Sequence, residues 1–337
     1  MTNDVNFQKA VELINKSKRV LITTHTRPDG DACGAVAAVY DTLISLGKKA
    51  ELILPSELPE WYEFLFAKKP AILGKDVSVE QLKKGEFFQP DLIILIDVNS
   101  NNQLSKFAEV LKQNKKSVIV IDHHMTNDGL GDIELIDTDA AATGLIVFDL
   151  MKYAGWKLNK KIATALFVAI ATDTGWFCFN NTDSRVFSAC AELIQSGAGP
   201  AKLHNDLYRD FSVQRFRLMT AMLNTLELHF EGRLAIQHLL RDDFKRAGAA
   251  DKDTENLIDE CQRIGTVEAA ALFVGLADSR FKCSLRSKGS INVRLIAQKF
   301  GGGGHTMAAG VHLAGPLENA KQLIKAEVEK QLQQLDK

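Results

Sequence analysis

Acidic and imidazole side chains recur at four places in the first half of the chain. His25-Thr26-Arg27-Pro28-Asp29-Gly30-Asp31 carries a histidine and two aspartates, Asp97 stands alone, Asp122-His123-His124 follows, and Asp173 comes last. Each aspartate taken singly could be a helix cap or a turn former. The set asks for more. Caps do not require imidazoles, and three of the chain's eight histidines lie in these few residues. Carboxylates gathered in one place would repel one another without cations. Asp29, Asp31, Asp97 and Asp173 carry four negative charges, which two divalent ions would neutralise. Mixed Asp/His ligation without cysteine suits Mn2+, with Mg2+, Co2+ or Zn2+ as alternatives. Two such ions about 3.5–4 Å apart are the apparatus of phosphoester hydrolysis by metal-activated hydroxide attack.

The elements around these residues must bring them together. Residues 20–24 (VLITT), 50–54, 92–96 (LIILI) and 118–121 (VIVI) read as strands. The continuous apolar runs among them suit a parallel sheet covered on both faces. A helix pattern over 31–46 stops at Gly47, a C-terminal cap. Strands alternating with helices imply a doubly wound α/β domain. His25 to Asp31, Asp97 and Asp122 each follow a strand directly, and Asp173 ends the apolar run 162–172. The carboxyl ends of parallel strands line one crevice, so the four places should converge there. The run 162–172 is open between strand and helix, its alanine content and length favouring helix. Cys33-Gly34-Ala35 keeps the first turns of the 31–46 helix small, with Cys33 read as packing rather than as a thiol nucleophile.

The second half has a different texture. Residues 184–223 read as helices broken near Gly197-Ala198-Gly199-Pro200. Runs 226–230 and 233–240 flank Glu231-Gly232, a hairpin signal. A helix over 253–264 precedes strands over 269–277 and 281–287. The expected organisation is a catalytic domain over 1–190, a helical linker over 191–225 and a smaller α/β domain over 226–337, with the active-site cleft between. Gly301 to Gly304 and His305 could turn backbone amides inward as an anion nest ahead of a helix start, or form a flexible loop. Between Asp278 and Phe300 stand Arg280, Lys282, Arg286, Lys288, Arg294 and Lys299 against one acid. This is either a solvated edge strand or a track for a short polyanion, with Arg280 and Arg286 as the phosphate contacts and Lys288 as a turn residue.

Composition bounds the rest. The chain has 337 residues, 46% of them hydrophobic, with a net charge of −1. That excludes a protein basic overall but not a local basic patch. Cys33, Cys178, Cys190, Cys261 and Cys283 are odd in number with no C-x-x-C spacing, which argues against a disulfide framework and for a reducing cytoplasm. No apolar run reaches the roughly 20 residues of a membrane span, and the N-terminus lacks a signal pattern.

HTRPDGDA, a lone Asp after an apolar strand, IDHH and TDTG, in that order, resemble the DHH phosphoesterase superfamily. SLRS and FGGGGHTMAAG resemble its associated C-terminal domain. The resemblance implies a metal-dependent enzyme acting on short oligoribonucleotides or 3′-phosphoadenosine 5′-phosphate, with a homodimer compatible and no membrane partner. It implies that His25, Asp29 and Asp97 hold one metal, and that Asp31, Asp97, His123 and Asp173 hold the other. Asp122 would orient a histidine, and His124 would face the substrate phosphate or else support a ligand. Gly302, Gly303, Gly304, His305, Arg280 and Arg286 would grip the substrate. Arg27 could touch phosphate or pair with an acid, and Trp176, Phe177 and Phe179 could stack a base or fill the core. Where the family places an arginine after the lone aspartate, residues 98–103 (VNSNNQ) carry no cation. Linear or cyclic dinucleotides and polyphosphate stay open as substrates. A non-catalytic RNA sensor is disfavoured, because no metal-ligand candidate is missing.

Overall fold

The computed structural model describes residues 2–208, 212–254, 256–276, 278 and 280–336. It divides into two compact units, Met1–Arg209 and Asp210–Lys337. The helices of the stretch 184–223 fall on both sides of that division: Ser184–Gln195 and Pro200–Tyr208 in the first unit, Val213–Leu223 in the second.

The first unit is built on six parallel strands: β1 (Arg19–Thr23), β2 (Lys49–Leu54), β3 (Ala71–Ile72), β4 (Leu92–Ile96), β5 (Ser117–Asp122) and β6 (Ile133–Ile136). Their order is β3-β2-β1-β4-β5-β6. The chain winds outward from β1 to β3, returns to β4 beside β1, and winds out the other way. The crevice between the carboxyl ends of β1 and β4 is therefore the switch point where such sheets bind ligands. Alternation sends Val20, Ile22, Ile94 and Ile121 into one core and Leu21, Ile93, Leu95 and Val120 into another on the opposite face.

On the first face the helices Gly30–Ser45, Thr143–Ala154 and Lys160–Asp173 pack together. Small residues set their spacing. A Cβ on Gly34 would lie 2.4 Å from the carbonyl oxygen of Ala165, and one on Gly30 would lie 2.3 Å from the Thr172 hydroxyl oxygen. The run 162–172 is thus the middle of a helix. This is the helix that its alanine content and length favoured, and Asp173 is its last residue, whereas the other three sites follow strands.

The second unit holds β7 (Glu227–His229), β8 (Leu234–Leu239), β9 (Ala269–Gly275), β10 (Phe281–Ser287), β11 (Gly303–Gly304) and β12 (Ala308–Leu313), ordered β11-β12-β10-β9-β8-β7. Only the β8–β9 pair is parallel. The hairpin at Glu231-Gly232 forms, with Phe230, Glu231 and Gly232 all at positive φ. The helix expected over 253–264 is instead two 3-10 turns, Asp251–Thr254 and Leu257–Arg263. Ala277, the expected end of the β9 run, lies outside the described residues. One face of the sheet packs on the Val293–Lys299 and Leu317–Leu335 helices through Ile296, Ile324 and Val328. No helix among the described residues is long and apolar enough to cross a membrane.

Candidate metal centre

Asp97 ends up wholly buried directly after β4, in the left-handed backbone region at φ 57°, which costs a non-glycine residue free energy. Its two oxygens face different partners. Oδ2 lies 3.3 Å from Nε2 of His25, which follows β1. Oδ1 lies 3.7 Å from Nε2 of His123, which follows β5. Around each oxygen stands a separate donor group. Asp29 Oδ1 is 4.0 Å from His25 Nε2. Asp31 Oδ2 and Asp173 Oδ2 are 3.8 and 3.5 Å from His123 Nε2. The two groups His25–Asp29–Asp97 and Asp31–His123–Asp173 each have the spacing to hold a metal ion. All six residues belong to the first unit.

Hydrogen bonds set which imidazole nitrogen is offered. His25 Nδ1 lies 2.9 Å from the Thr26 carbonyl oxygen and His123 Nδ1 lies 3.1 Å from that of Ala140. A carbonyl only accepts, so each Nδ1 carries the proton, and in the neutral ring the Nε2 lone pair is left to ligate. His124 differs. Its Nδ1 lies 2.7 Å from Oδ1 of Asp122, which also accepts the backbone N–H of His123 at 2.8 Å. The second Asp122 oxygen is buried with no partner among the described residues. Asp29 does two jobs: its Oδ1 also accepts the Ala32 N–H at 3.1 Å and caps the Gly30–Ser45 helix.

The charges are poised for cations. Burial, then the charges of Asp97 and Asp173, pushes Asp31 well above the ordinary carboxylate range. Burial likewise pushes Asp173 up to about 7, with His123 opposing it. Burial opposes ionisation of Asp97 too, but the hydrogen bond and charge of His25 outweigh it and hold Asp97 at about 2. His25 is raised to about 9 because Asp97 outweighs the burial that opposes its charge. His124 rises to about 9 through its hydrogen bond to Asp122. This is a surplus of buried negative charge that divalent cations would relieve.

One part of the centre has no acidic or imidazole signature. Thr143, wholly buried at the start of the Thr143–Ala154 helix, donates its hydroxyl to Asp97 Oδ1 at 2.8 Å. Its N–H and that of Gly144 donate to the two oxygens of Asp31 at 2.6 and 2.8 Å. A helix N-terminus thus holds a buried carboxylate. A Cβ on Gly144 would meet Ala169 Cβ at 2.4 Å and Asp31 Oδ1 at 3.3 Å. The sequence signal was Thr143-Gly144 heading the apolar run 145–148 (LIVF), where a helix would begin.

The residues expected to grip substrate lie in the second unit and are largely engaged. Arg280 pairs with Asp278 at 2.6 Å, and Arg286 Nε donates to Asp259 at 3.1 Å. Lys299 pairs with Glu327, and Lys288 donates to the Ile264 carbonyl at 2.8 Å, while Lys282 and Arg294 make no ion pair among the described residues. The glycine run does not form an inward nest before a helix, which corrects that expectation. The Gly301, Gly302 and His305 N–H groups donate to the carbonyls of Gln298, Ala297 and Ala308. Gly303 and Gly304 form β11 against β12, a strand rather than a helix. A Cβ on Gly302 would sit 2.3 Å from the Gly310 carbonyl oxygen, so close strand approach requires glycine there. Arg27, exposed and at φ 56°, pairs with no acid among the described residues.

Residues 19–170 match the family model described as DHH family, N-terminal domain, and residues 232–334 match the DHHA1 domain. The bifunctional oligoribonuclease and PAP phosphatase NrnA of Thermus thermophilus is 33% identical over 316 residues, 93% of this chain and 90% of that one. The protein of the same description in Bacillus subtilis is 25% identical, over 90% of this chain and 92% of its own. Among solved structures, an exopolyphosphatase-related protein from Bacteroides fragilis shares the fold at a TM-score of 0.92 and 24% identity, covering 99% of this chain and 98% of that chain. Two domain models matched in order, together with a relative 33% identical along nearly all of both chains, mean that the chain belongs to the DHH family and is a phosphoester hydrolase with a DHHA1 domain.

Proposed function

We propose that the chain uses two divalent cations, Mn2+ foremost, to hydrolyse short oligoribonucleotides and 3′-phosphoadenosine 5′-phosphate. The observation that carries this reading is Asp97, a buried carboxylate whose two oxygens face two separate Asp/His groups. The names of the relatives, which describe oligoribonuclease and PAP phosphatase activity, supply the substrate class. His25, Asp29 and Asp97 would hold one ion, and Asp31, His123, Asp173 and Asp97 the other. Bound there, the ions supply Lewis acidity and a water of lowered pKa.

The chain's own groups have distinct tasks. Thr143 and the Gly144 amide fix Asp97 and Asp31 in orientations they would otherwise have to find. Asp122 anchors His124 through Nδ1 and leaves Nε2 for the substrate. The hydrogen bond to Asp122 raises the His124 pKa in the metal-free protein and favours its protonated form, which would donate from Nε2 to a phosphate or leaving oxygen. Arg280, Arg286, Gly302, Gly303, Gly304 and His305 are proposed to recognise the nucleotide, Arg286 by exchanging Asp259 for phosphate.

The test is a panel of short RNA, short DNA, 3′-phosphoadenosine 5′-phosphate, a cyclic dinucleotide and polyphosphate. It is run on chelator-stripped protein with and without Mn2+. Cleavage of the RNA and the bisphosphate is expected only with metal, and is expected to vanish in Asp97→Asn. Metal-free turnover, or turnover by Asp97→Asn, would sink the proposal. Cleavage confined to the cyclic dinucleotide or to polyphosphate would move the substrate assignment.

A further inference from the structure

Directly after Asp173 the backbone does something costly. The Lys160–Asp173 helix closes on Gly175 at φ 54°, an ordinary left-handed cap with the Trp176 N–H returned to the Ala171 carbonyl at 2.6 Å. The left-handed winding then continues through Trp176 at φ 53° and Phe177 at φ 67°. Left-handed backbone costs an L-residue roughly 1–2 kcal/mol and is normally confined to single residues. The Phe179 ring lies over Gly175, where a Cβ would meet it at 2.5 Å.

This turn sends its two aromatics to different places. Phe177 lies edge-on to the buried Phe167 at 5.9 Å and stacks on the exposed Phe187 at 5.5 Å and 28°. Trp176 also borders Phe167, at 6.1 Å, and in addition meets two polar aromatics of the Pro200–Tyr208 helix. The His204 ring lies 4.9 Å away at 84° and the Tyr208 ring 5.7 Å away at 86°, while those two rings are 5.3 Å apart and tilted by 36°. The group is not sealed. Trp176 and His204 are half-buried and Tyr208 keeps 41% of its surface exposed. It adjoins the metal centre on two sides. Asp173 lies three residues before Trp176. The 3-10 turn Glu60–Leu65 packs against the Gly30–Ser45, Lys160–Asp173 and Pro200–Tyr208 helices, and its Tyr62 hydroxyl feels both Asp29 and Tyr208.

We propose that Trp176, His204 and Tyr208 form a stacking platform for a nucleobase of the substrate, set on the first unit beside the metal centre. The proposal rests on the nucleotide-hydrolase reading above and names the part of that substrate the platform takes. Every base offers a π-face, so such a platform binds without sequence preference, as suits an enzyme that consumes short oligomers. Phosphate alone would not need three rings.

The test compares 5′-phosphorylated diadenylate with the same molecule lacking both bases, using Mn2+-loaded wild type, Tyr208→Ala and His204→Ala. Tyr208 is chosen because its exposure spares the core. Wild type is expected to prefer the base-bearing substrate in kcat/KM, and each variant to lose about tenfold or more of that preference, as expected for removing one stacking partner. An unchanged preference in both variants overturns the platform while leaving the hydrolase assignment intact. A second measurement does not depend on turnover: quenching of tryptophan fluorescence by adenosine 5′-monophosphate and by ribose 5-phosphate, with Trp176→Phe identifying the reporter. Quenching by the nucleotide alone, weakened in Tyr208→Ala, supports the platform even if no oligonucleotide is cut. Equal binding of the two ligands overturns it.

Discussion

At the scale of single residues, Asp97 holds the centre together, and Thr143 holds Asp97. The Thr143 hydroxyl reaches Asp97 Oδ1, the same oxygen that faces His123. Removing it without changing shape leaves a buried carboxylate oxygen short of a donor. Thr143→Val is therefore expected to weaken Mn2+ binding by about 10–100-fold, the usual cost of losing a partner behind a ligand. Thr143→Ser should restore most of it, which a merely steric role would not. Titration calorimetry with Mn2+ reads both. A second expectation concerns protons. His25 stands at about 9 in the metal-free protein, so at pH 7 it carries a proton that ligation must expel. Its pKa is raised, so the protonated form persists up to about pH 9 and competes with the metal below that. Mn2+ affinity should rise with pH from 6 towards 9 and then level off. Calorimetry in two buffers of different ionisation enthalpy should show proton release at pH 7, and a pH-independent affinity would contradict it. The acids and imidazoles of this centre were legible in the sequence because their chemistry has few other uses in such density. Thr143 and the Gly144 amide were not, because a hydroxyl and a backbone N–H become ligand supports only through where a helix happens to start.

At the scale of elements, the site depends on how closely two helices approach. The Gly30–Ser45 helix brings Asp29 and Asp31, and the Lys160–Asp173 helix brings Asp173. Gly34 sits at their contact, where a Cβ would lie 2.4 Å from the Ala165 carbonyl oxygen and 2.8 Å from Ala169. Backbone cannot swing aside as a side chain can. Gly34→Val is expected to cost about 1–3 kcal/mol of stability in urea unfolding. It should also weaken Mn2+ binding, because the helix that must move ends at Asp173. A stable variant with unaltered affinity would show that the helix spacing does not set the ligand geometry. The same pair explains where periodicity stopped being informative. Residues 162–171 are buried almost all round, so no polar face marks the helical period, and strand and helix read alike. The strands β1, β2, β4 and β5 were legible because short apolar runs between turn residues have few alternatives. The two 3-10 turns Asp251–Thr254 and Leu257–Arg263 were not, since their composition favours a helix, while Asn256 stands in the left-handed region at φ 58° ahead of the second turn.

At the scale of the whole molecule, a net charge of −1 conceals an uneven distribution. The ligand aspartates and histidines all lie in the first unit, with its own cores, and the basic stretch lies in the second. The sequence shows that polarity but not its strength. Arg280, Arg286 and Lys299 already face Asp278, Asp259 and Glu327, so the second unit is less basic in effect than its count of cations. In the first unit His25 and His123 face the ligand aspartates, yet Asp31 and Asp173 are still pushed upward by burial and by neighbouring carboxylates. Divalent cations should therefore stabilise one unit selectively. A ligand present at about 100 times its Kd adds about 2.7 kcal/mol to the state that binds it. For a unit of this size that shifts the unfolding midpoint by roughly 5–10 °C. In a calorimetric scan of chelator-stripped protein, Mn2+ should raise the transition of the first unit and leave that of the second in place, and Asp97→Asn should abolish the shift. A single transition that moves as one would show that the units unfold together. Two transitions that both stay put would mean that the six acidic and imidazole side chains do not make a metal centre.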